Sequence, residues 1–313
     1  VREEDGGGLV SGAPVPDLAL PAPVFIGMPT YNNAPTIERA IRSWQAQTHP
    51  DFSLLISDDR SSDATVGIAR DFAATDRRIR VVVQERNLNY GNFRFVLNAA
   101  RAPFFVFAAG DDWWEPRFLE GCLDALREEP GAVCAAPRVL RHPLQGDPFL
   151  SAATEPLVDS VERNLVRYLI SPKDNSRMYG VYRTEAARRA FPSRDYFAFD
   201  WAFCAATLVS GTYVQVDEVL MHREVTPSSR YVEYVRRDNG WWLTRLFPLL
   251  PLTWDLLLRP GVPITRGVLR ALLIRNWNGH ASYVQRFHPL LRTLYRIPPP
   301  AAPAPLSGST PLE

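Results

Sequence analysis

Residues 23–65 read PVFIGMPTYNNAPTIERAIRSWQAQTHPDFSLLISDDRSSDAT, and their pattern sets the fold class. Pro23-Val24-Phe25-Ile26-Gly27-Met28 is a short apolar run suited to a buried strand, broken by Pro29-Thr30-Tyr31-Asn32-Asn33. Ile37, Ala40, Ile41 and Trp44 then recur at helical spacing, with Asn33 or Thr36 available as the cap and His49-Pro50 closing the helix. Phe52 to Ser57 is a second buried strand ending at Asp58-Asp59, and Ser61 to Thr65 starts another helix, with Ile68, Ala69 and Phe72 on one face.

The alternation continues outward. Ile79 to Val83 reads as a third strand, Asn92 to Arg101 as a helix and Phe104 to Ala108 as a fourth strand. Strands alternating with helices imply an α/β fold built on a mostly parallel, doubly wound sheet. In such sheets ligands bind beyond the carboxyl ends of the strands. The polar clusters Thr30-Tyr31-Asn32, Asp58-Asp59 and Asp111-Asp112 all stand at such ends, which points to one site. Beyond Asp112 the pattern loosens. Pro116 to Glu128 and Val161 to Ile170 read as helices, Val133 to Val139 and Met178 to Arg183 as strands, and Tyr231 to Ile297 as predominantly helical.

Composition narrows the class. Of 313 residues, 46% are hydrophobic and 22% charged, as in a soluble globular enzyme. A net charge of +1 gives no overall basic field for nucleic acid. Cys122, Cys134 and Cys204 lack metal-ligand spacing and read as buried free thiols. Val1 to Pro21 is acidic and then Gly- and Pro-rich, without the pattern of a signal peptide, and residues 298–313 form a Pro/Ala/Ser tail; both ends are expected to be disordered. No stretch is long and clean enough to span a bilayer, so a cytoplasmic location, at most peripheral to the inner membrane face, is expected.

The chemistry concentrates in Gly110-Asp111-Asp112. Adjacent carboxylates at the end of a buried strand are costly unless something cationic compensates them. A divalent metal, Mn²⁺ or Mg²⁺, on a diphosphate is one such group; a solvated Asp-Asp turn is the plainer alternative. A carboxylate of Asp58-Asp59 can accept from a pyrimidine imide or a ribose hydroxyl, while one of the two is expected to cap the next helix. Tyr31 can stack on a base or simply pack.

Together these clusters resemble the family 2 glycosyltransferases of GT-A fold. The resemblance is carried by Met28-Pro-Thr-Tyr-Asn, Ser43-x-x-x-Gln47-Thr48, Ile56-Ser-Asp-Asp-Arg-Ser-Ser-Asp-Ala-Thr65, Asn87-x-x-x-Gly91, Asn98 and Gly110-Asp-Asp112, and it covers roughly residues 23–224. It implies an inverting transferase that takes a sugar from a nucleotide-diphosphate donor, with a UDP-sugar favoured, and passes it to a glycan, lipid-linked or small-molecule acceptor. It implies a catalytic domain over 22–225, with a nucleotide half to about 135 and an acceptor half beyond, followed by a helical extension over 226–297. By resemblance Tyr31 and Asp59, with Pro29 and Asn32 beside them, contact the nucleoside, Asp111 borders the ribose or metal, and Asp112 coordinates the metal. Arg60 departs from the family's Asp-Asp-Gly-Ser, which bears on the local turn and the base preference.

In Phe197 to Phe203 the family's catalytic base matches Asp200, whose other reading is a cap on the helix from Trp201 to Val209. His222 or Arg223, in the segment that closes the site in the family, would reach metal or diphosphate; His222 has an ordinary structural reading as well. Arg94 is a phosphate candidate or a surface arginine. Arg266, Arg270 and Arg275 with Leu269, Leu272, Leu273 and Ile274 form a basic amphipathic segment, read first as packing on its own domain and second as membrane-associated. Two other functions share features of this pattern: a sugar-phosphate nucleotidylyltransferase, which usually carries a Gly-rich basic loop where Pro29 to Asn32 stands, and an inactive nucleotide-sugar-binding module.

Overall fold

A computed structural model describes residues 22–225 and 242–287. Within it β1 (Val24–Thr30), β2 (Phe52–Asp58), β3 (Ile79–Val83) and β4 (Phe104–Phe107) lie parallel in the order β3-β2-β1-β4. The connecting helices are α1 (Ile37–Gln45), α2 (Thr65–Thr75) and α3 (Tyr90–Ala99). All seven residues of β2 are buried, as a central strand covered on both faces requires. Alternation along β1 feeds two cores. Val24, Ile26 and Met28 pack with Ile37, Ile41 and Trp44, whereas Phe25 joins Leu55, Val96 and Phe105 on the opposite face. The register pairs Thr30 with Asp58, so the loops after β1 and β2 open on the same edge of the sheet.

The second half is mixed rather than parallel. α4 (Phe118–Glu128), β6 (Ala132–His142), β7 (Phe149–Leu150), α5 (Val161–Ile170), β8 (Val181–Arg183), α6 (Thr184–Ala190), α7 (Phe199–Thr207) and β9 (Thr212–Glu224) follow in the chain. β8 continues the sheet antiparallel to β4, β6 pairs antiparallel with β8 and β7 but parallel with β9, and the two-residue β5 (Trp113–Trp114) closes the edge antiparallel to β9. The strand expected from Met178 to Arg183 divides: Ser176–Tyr179 is a 3₁₀ turn and only Val181–Arg183 is extended. The helix expected from Asn92 begins at Tyr90, and α4 begins at Phe118 rather than Pro116. The three cysteines are free and buried.

Of the helical region read over 231–297, residues 231–241 and 288–297 fall outside the described chain, as do both termini. The described part holds α8 (Trp242–Leu246), α9 (Leu250–Leu258) and α10 (Arg266–Phe287). α10 lies against α5 and buries Val268, Ala271 and Leu272 in the core, so the segment does pack on its own domain. Arg275 also turns inward, its guanidinium 5.1 Å from the ring of Trp201 in α7.

One aromatic cluster joins the nucleotide-side helices to the acidic turn. Trp44 of α1 packs at 4.3 Å on Trp114 of β5 and edge-on to Phe118 at 5.7 Å, all three buried. Trp44→Ala should therefore cost about 3–5 kcal/mol. Urea unfolding of both proteins measures it; a loss below about 1 kcal/mol would show that the cluster does not hold β5 in place.

Candidate active site

The loops after β1 and β2 are laced together before any ligand is considered. The Asn32 amide donates to Ser61 Oγ at 2.8 Å, and Asn32 Oδ1 accepts from the Ser62 amide at 2.9 Å. The Asn33 amide donates to Thr65 Oγ1 and the Ala34 amide to Asp63 Oδ2. Asn32 holds φ 53° and Arg60 φ 67°, both in the left-handed region. Arg60 thus adopts a backbone that glycine takes without steric cost, and its side chain is anchored to the Glu85 carbonyl at 2.9 Å. Tyr31 stands on this loop 53% exposed, and Pro29 pairs with Ser57 at the end of β1.

The two aspartates after β2 divide their tasks. Asp58 accepts from the Ser61 amide and hydroxyl at 2.8 and 2.6 Å and so forms the turn, but neither it nor Asp59 caps α2 as expected: the Thr65 amide at the helix start donates to Asp63. Asp59 accepts from the Leu88 and Asn89 amides at 2.6 and 2.8 Å and so ties down the loop leading into α3. Burial raises the Asp59 carboxyl above its ordinary value, against those two amides. Arg94 faces away, paired with Asp195 at 2.5 Å and bonded to the Pro192 carbonyl.

After β4 the chain passes under the β1 loop. A Cβ at Gly110 would lie 2.9 Å from the Asn33 side chain, and the Gly110 carbonyl accepts from Thr36 Oγ1 at 2.7 Å. Glycine is needed here for close approach. Arg39 donates to the Asp111 carbonyl at 2.8 Å and pairs with Glu224 at 2.6 Å. Burial raises the Asp111 carboxyl, opposed by Arg223.

The cation that compensates the Asp pair within the protein is Arg223. Its Nε donates to Asp112 Oδ2 at 3.2 Å, and the Glu224 amide donates to Oδ1 at 3.1 Å, with the Asp112 side chain 2% and the Arg223 side chain 15% exposed. Burial still pushes the Asp112 carboxyl up to about 7. Arg223 also donates to the Asp174 carbonyl and to Ser176 Oγ and lies 4.5 Å over the Tyr179 ring. Burial alone would raise the Asp174 carboxyl, but Arg141 and Arg223 hold it below its ordinary range.

Asp200 reaches the same region from α7. The helix is capped at Ala198, so Asp200 lies within its first turn rather than at the cap position. Asp200 Oδ2 accepts from Asn175 Nδ2 at 3.1 Å, and Asn175 Oδ1 accepts from the Tyr168 hydroxyl at 2.6 Å. Burial raises the Asp200 carboxyl above its ordinary value, with Asn175 and Arg223 acting against it. The buried Tyr179 hydroxyl feels Arg223, Asp112, Asp111 and Asp200 together. Arg223 thus links Asp112 to the Asp174 to Ser176 segment, whose Asn175 bonds Asp200.

It does not bring His222 to Asp112. Neighbouring side chains of a strand point to opposite faces. With Arg223 on Asp112, His222 stacks on Trp113 at 4.9 Å and bonds through Nε2 to Glu115 at 2.8 Å and through Nδ1 to His142 at 3.0 Å. Both ring nitrogens are engaged there. Among the described residues no three His, Cys, Asp or Glu side chains gather as an all-protein metal site. A divalent ion that keeps phosphate oxygens as ligands needs only one or two carboxylates. Asp111 fits that role, since among the described residues no side chain donates to its carboxylate, whereas Asp112 is already held by a guanidinium. Sequence reading missed Asn175, Tyr168, Asp174, Tyr179 and Glu224. Only the turn-forming run Asp174-Asn175-Ser176 carried any local signal.

Comparison with known proteins bears on the family and the fold. The family model described as Glycosyl transferase family 2 matches residues 25–191, more than half the chain. "Putative glycosyltransferase EpsH" of Bacillus subtilis (strain 168) is 27% identical over 220 residues, 66% of this chain and 62% of EpsH, so the chain spans less than two thirds of that relative. The GalNAc(5)-diNAcBac-PP-undecaprenol beta-1,3-glucosyltransferase of Campylobacter jejuni is 33% identical over 107 residues, 33% of this chain and 32% of that protein. Among solved structures, S. aureus TarS 1-349 superposes with a TM-score of 0.59 at 16% identity, over 88% of this chain and 75% of TarS. The mannosyltransferase PcManGT from Pyrobaculum calidifontis, in complex with GDP-Man and Mn²⁺, gives 0.56 at 17% identity, over 91% of this chain and 79% of that one. At these identities the likeness establishes a shared GT-A-like fold.

Removing the cation from a buried pair leaves an uncompensated charge. With the Asp112 carboxyl already at about 7, Arg223→Met should lose little through this pair at neutral pH but about 2–3 kcal/mol at about pH 9, and adding Asp112→Asn should recover a large part of that loss. Denaturant unfolding of the two single variants and the double variant measures the coupling. An Arg223→Met protein within about 1 kcal/mol of wild type at about pH 9 would show that Asp112 does not depend on it.

Proposed function

The chain belongs to glycosyl transferase family 2, and on that premise we propose that it moves a sugar from a nucleoside-diphosphate donor to an acceptor hydroxyl with inversion at the anomeric carbon. The observation that carries the reading is Arg223, which holds Asp112 at the end of the parallel strands and also the Asp174 to Ser176 segment, whose Asn175 bonds Asp200. TarS has been solved with UDP and with UDP-GlcNAc, and PcManGT with GDP-Man. These favour a nucleotide sugar as donor, and a UDP-sugar first.

In this reading the loop of Pro29, Tyr31 and Asn32 forms one wall of the nucleoside site, with the exposed Tyr31 ring as a stacking surface. Asp59 holds the Leu88 and Asn89 amides that shape the opposite wall, and its oxygens keep lone pairs for a donor on the base or ribose. Bound Mn²⁺ or Mg²⁺ would supply charge neutralisation for the departing diphosphate. Asp111 would hold it, with Asp112 fixing the turn through Arg223 and the Glu224 amide. His222 has no part at this face, and Arg94 reaches a phosphate only if its pair with Asp195 opens. Asp200 removes the proton from the attacking acceptor hydroxyl, oriented by Asn175.

Three outcomes test the proposal. Chelation should abolish transfer and added Mn²⁺ or Mg²⁺ restore it, with Asp111→Ala weakening metal-dependent nucleotide binding; full turnover in excess chelator would overturn the metal role. Asp200→Asn should leave donor binding near wild type by calorimetry while transfer falls roughly a hundredfold or more. Transfer at the wild-type rate in Asp200→Asn would remove it as base. Because the base acts deprotonated and burial raises its carboxyl, activity should fall on acidification at a pH above the ordinary carboxylate range of about 4. A pH profile that stays flat down to about 4 would contradict that assignment.

A further inference from the structure

The described C-terminal helices leave a face that the core does not use. Six of the ten large apolar side chains exposed in the described chain, Trp254 (60%), Leu258, Ile264, Leu269, Leu273 (72%) and Trp277 (54%), lie between residues 254 and 277, while Tyr31, Leu144, Val158 and Ile170 are scattered. On α10, Leu269, Leu273 and Trp277 recur every four residues and form one stripe along the helix. The opposite side carries Val268, Ala271 and Leu272 into the core, so the stripe faces outward by construction. Asn276 Nδ2 donates to Thr253 Oγ1 at 2.5 Å, which locks α10 to α9 at the residues preceding the exposed Trp277 and Trp254. A soluble surface seldom gathers this much apolar area without a partner.

Charge selects the partner. α10 contains Arg266, Arg270, Arg275 and Arg286 and no Asp or Glu, in a chain whose net charge is only +1. Arg275 is used internally over Trp201, but Arg266 and Arg270 are exposed and flank Leu269. Leucine and tryptophan with arginine beside them, on a helix with no acidic residue, match the boundary between lipid headgroups and acyl chains. Arginine adds attraction for an anionic leaflet. The segment is no transmembrane helix: among the described residues none is long and apolar enough to cross a membrane. We propose that the outer face of α9 and α10 docks on the surface of an anionic lipid bilayer, lying in the interface with Leu269, Leu273 and Trp277 inserted. This proposal is independent of the glycosyl-transfer reading, because its test reads binding and no turnover.

The full chain is centrifuged with sucrose-loaded vesicles of phosphatidylcholine alone or with one third phosphatidylglycerol, at low and high salt. It should cosediment with the phosphatidylglycerol vesicles at low salt and much less with phosphatidylcholine. Leu273→Glu with Trp277→Glu should weaken binding by about tenfold or more, and so should Arg266→Glu with Arg270→Glu. Both pairs replace exposed side chains, so melting curves should stay near wild type. Absence of cosedimentation of the folded full chain at low salt would overturn the proposal, as would binding unchanged by both double variants. A dimer in light scattering that Leu273→Glu with Trp277→Glu converts to monomer, with no vesicle binding, would assign the face to a second copy of the chain instead.

Discussion

A carboxylate with 2% of its surface in water is costly to ionise, and Asp112 has Arg223 against it to offset that cost. Much of the site follows from keeping those two groups in contact. β5 is only two residues long, yet it pairs antiparallel with β9 so that Trp113 faces His222 and the Glu115 amide reaches the Leu220 carbonyl. That register sets Asp112 beside Arg223 and the Glu224 amide. Arg223 is then shared with Asp174, Ser176 and Tyr179, which belong to the mixed half of the sheet region. The parallel half presents the acidic turn, and the mixed half presents the arginine that compensates it. Neither half completes the site alone.

The parallel half was legible because its signals are local. Buried runs at Val24 to Met28, Phe52 to Ser57 and Ile79 to Val83 meet their observed strands within about two residues, and Ile37, Ala40, Ile41 and Trp44 are the buried face of α1 as their spacing implied. The division of Asp58 and Asp59 was foreseen only in kind, since one of the two serves the turn but neither caps α2. The mixed half was less legible because its pairings are long-range. Nothing local tells that Met178 turns in a 3₁₀ helix while Val181 joins β4, or that the turn at Asn175 places its side chain on Asp200. His222 shows the cost of reading a motif without its strand. Once β9 is known, parity alone puts His222 and Arg223 on opposite faces.

Arg60 illustrates how a fold absorbs a departure from its family's pattern. The left-handed turn after Asp59 is retained with an arginine in it, and the Glu85 carbonyl holds the side chain. The turn survives because the lacing of Asn32, Ser61, Ser62 and Thr65 fixes it from both sides. At the other end of the molecule Arg275 reaches from α10 to Trp201, the residue after Asp200. The helices beyond the second half of the sheet therefore back the site as well as presenting their own outer face.

The central proposal is that Asp111, on the diphosphate side, and Asp200, as proton acceptor, act on opposite faces of the anomeric carbon. The stereochemistry of the product tests this most directly. Proton NMR of the first-formed glycoside, compared with the donor, should show the opposite anomeric configuration. A product that keeps the donor's configuration would contradict the arrangement.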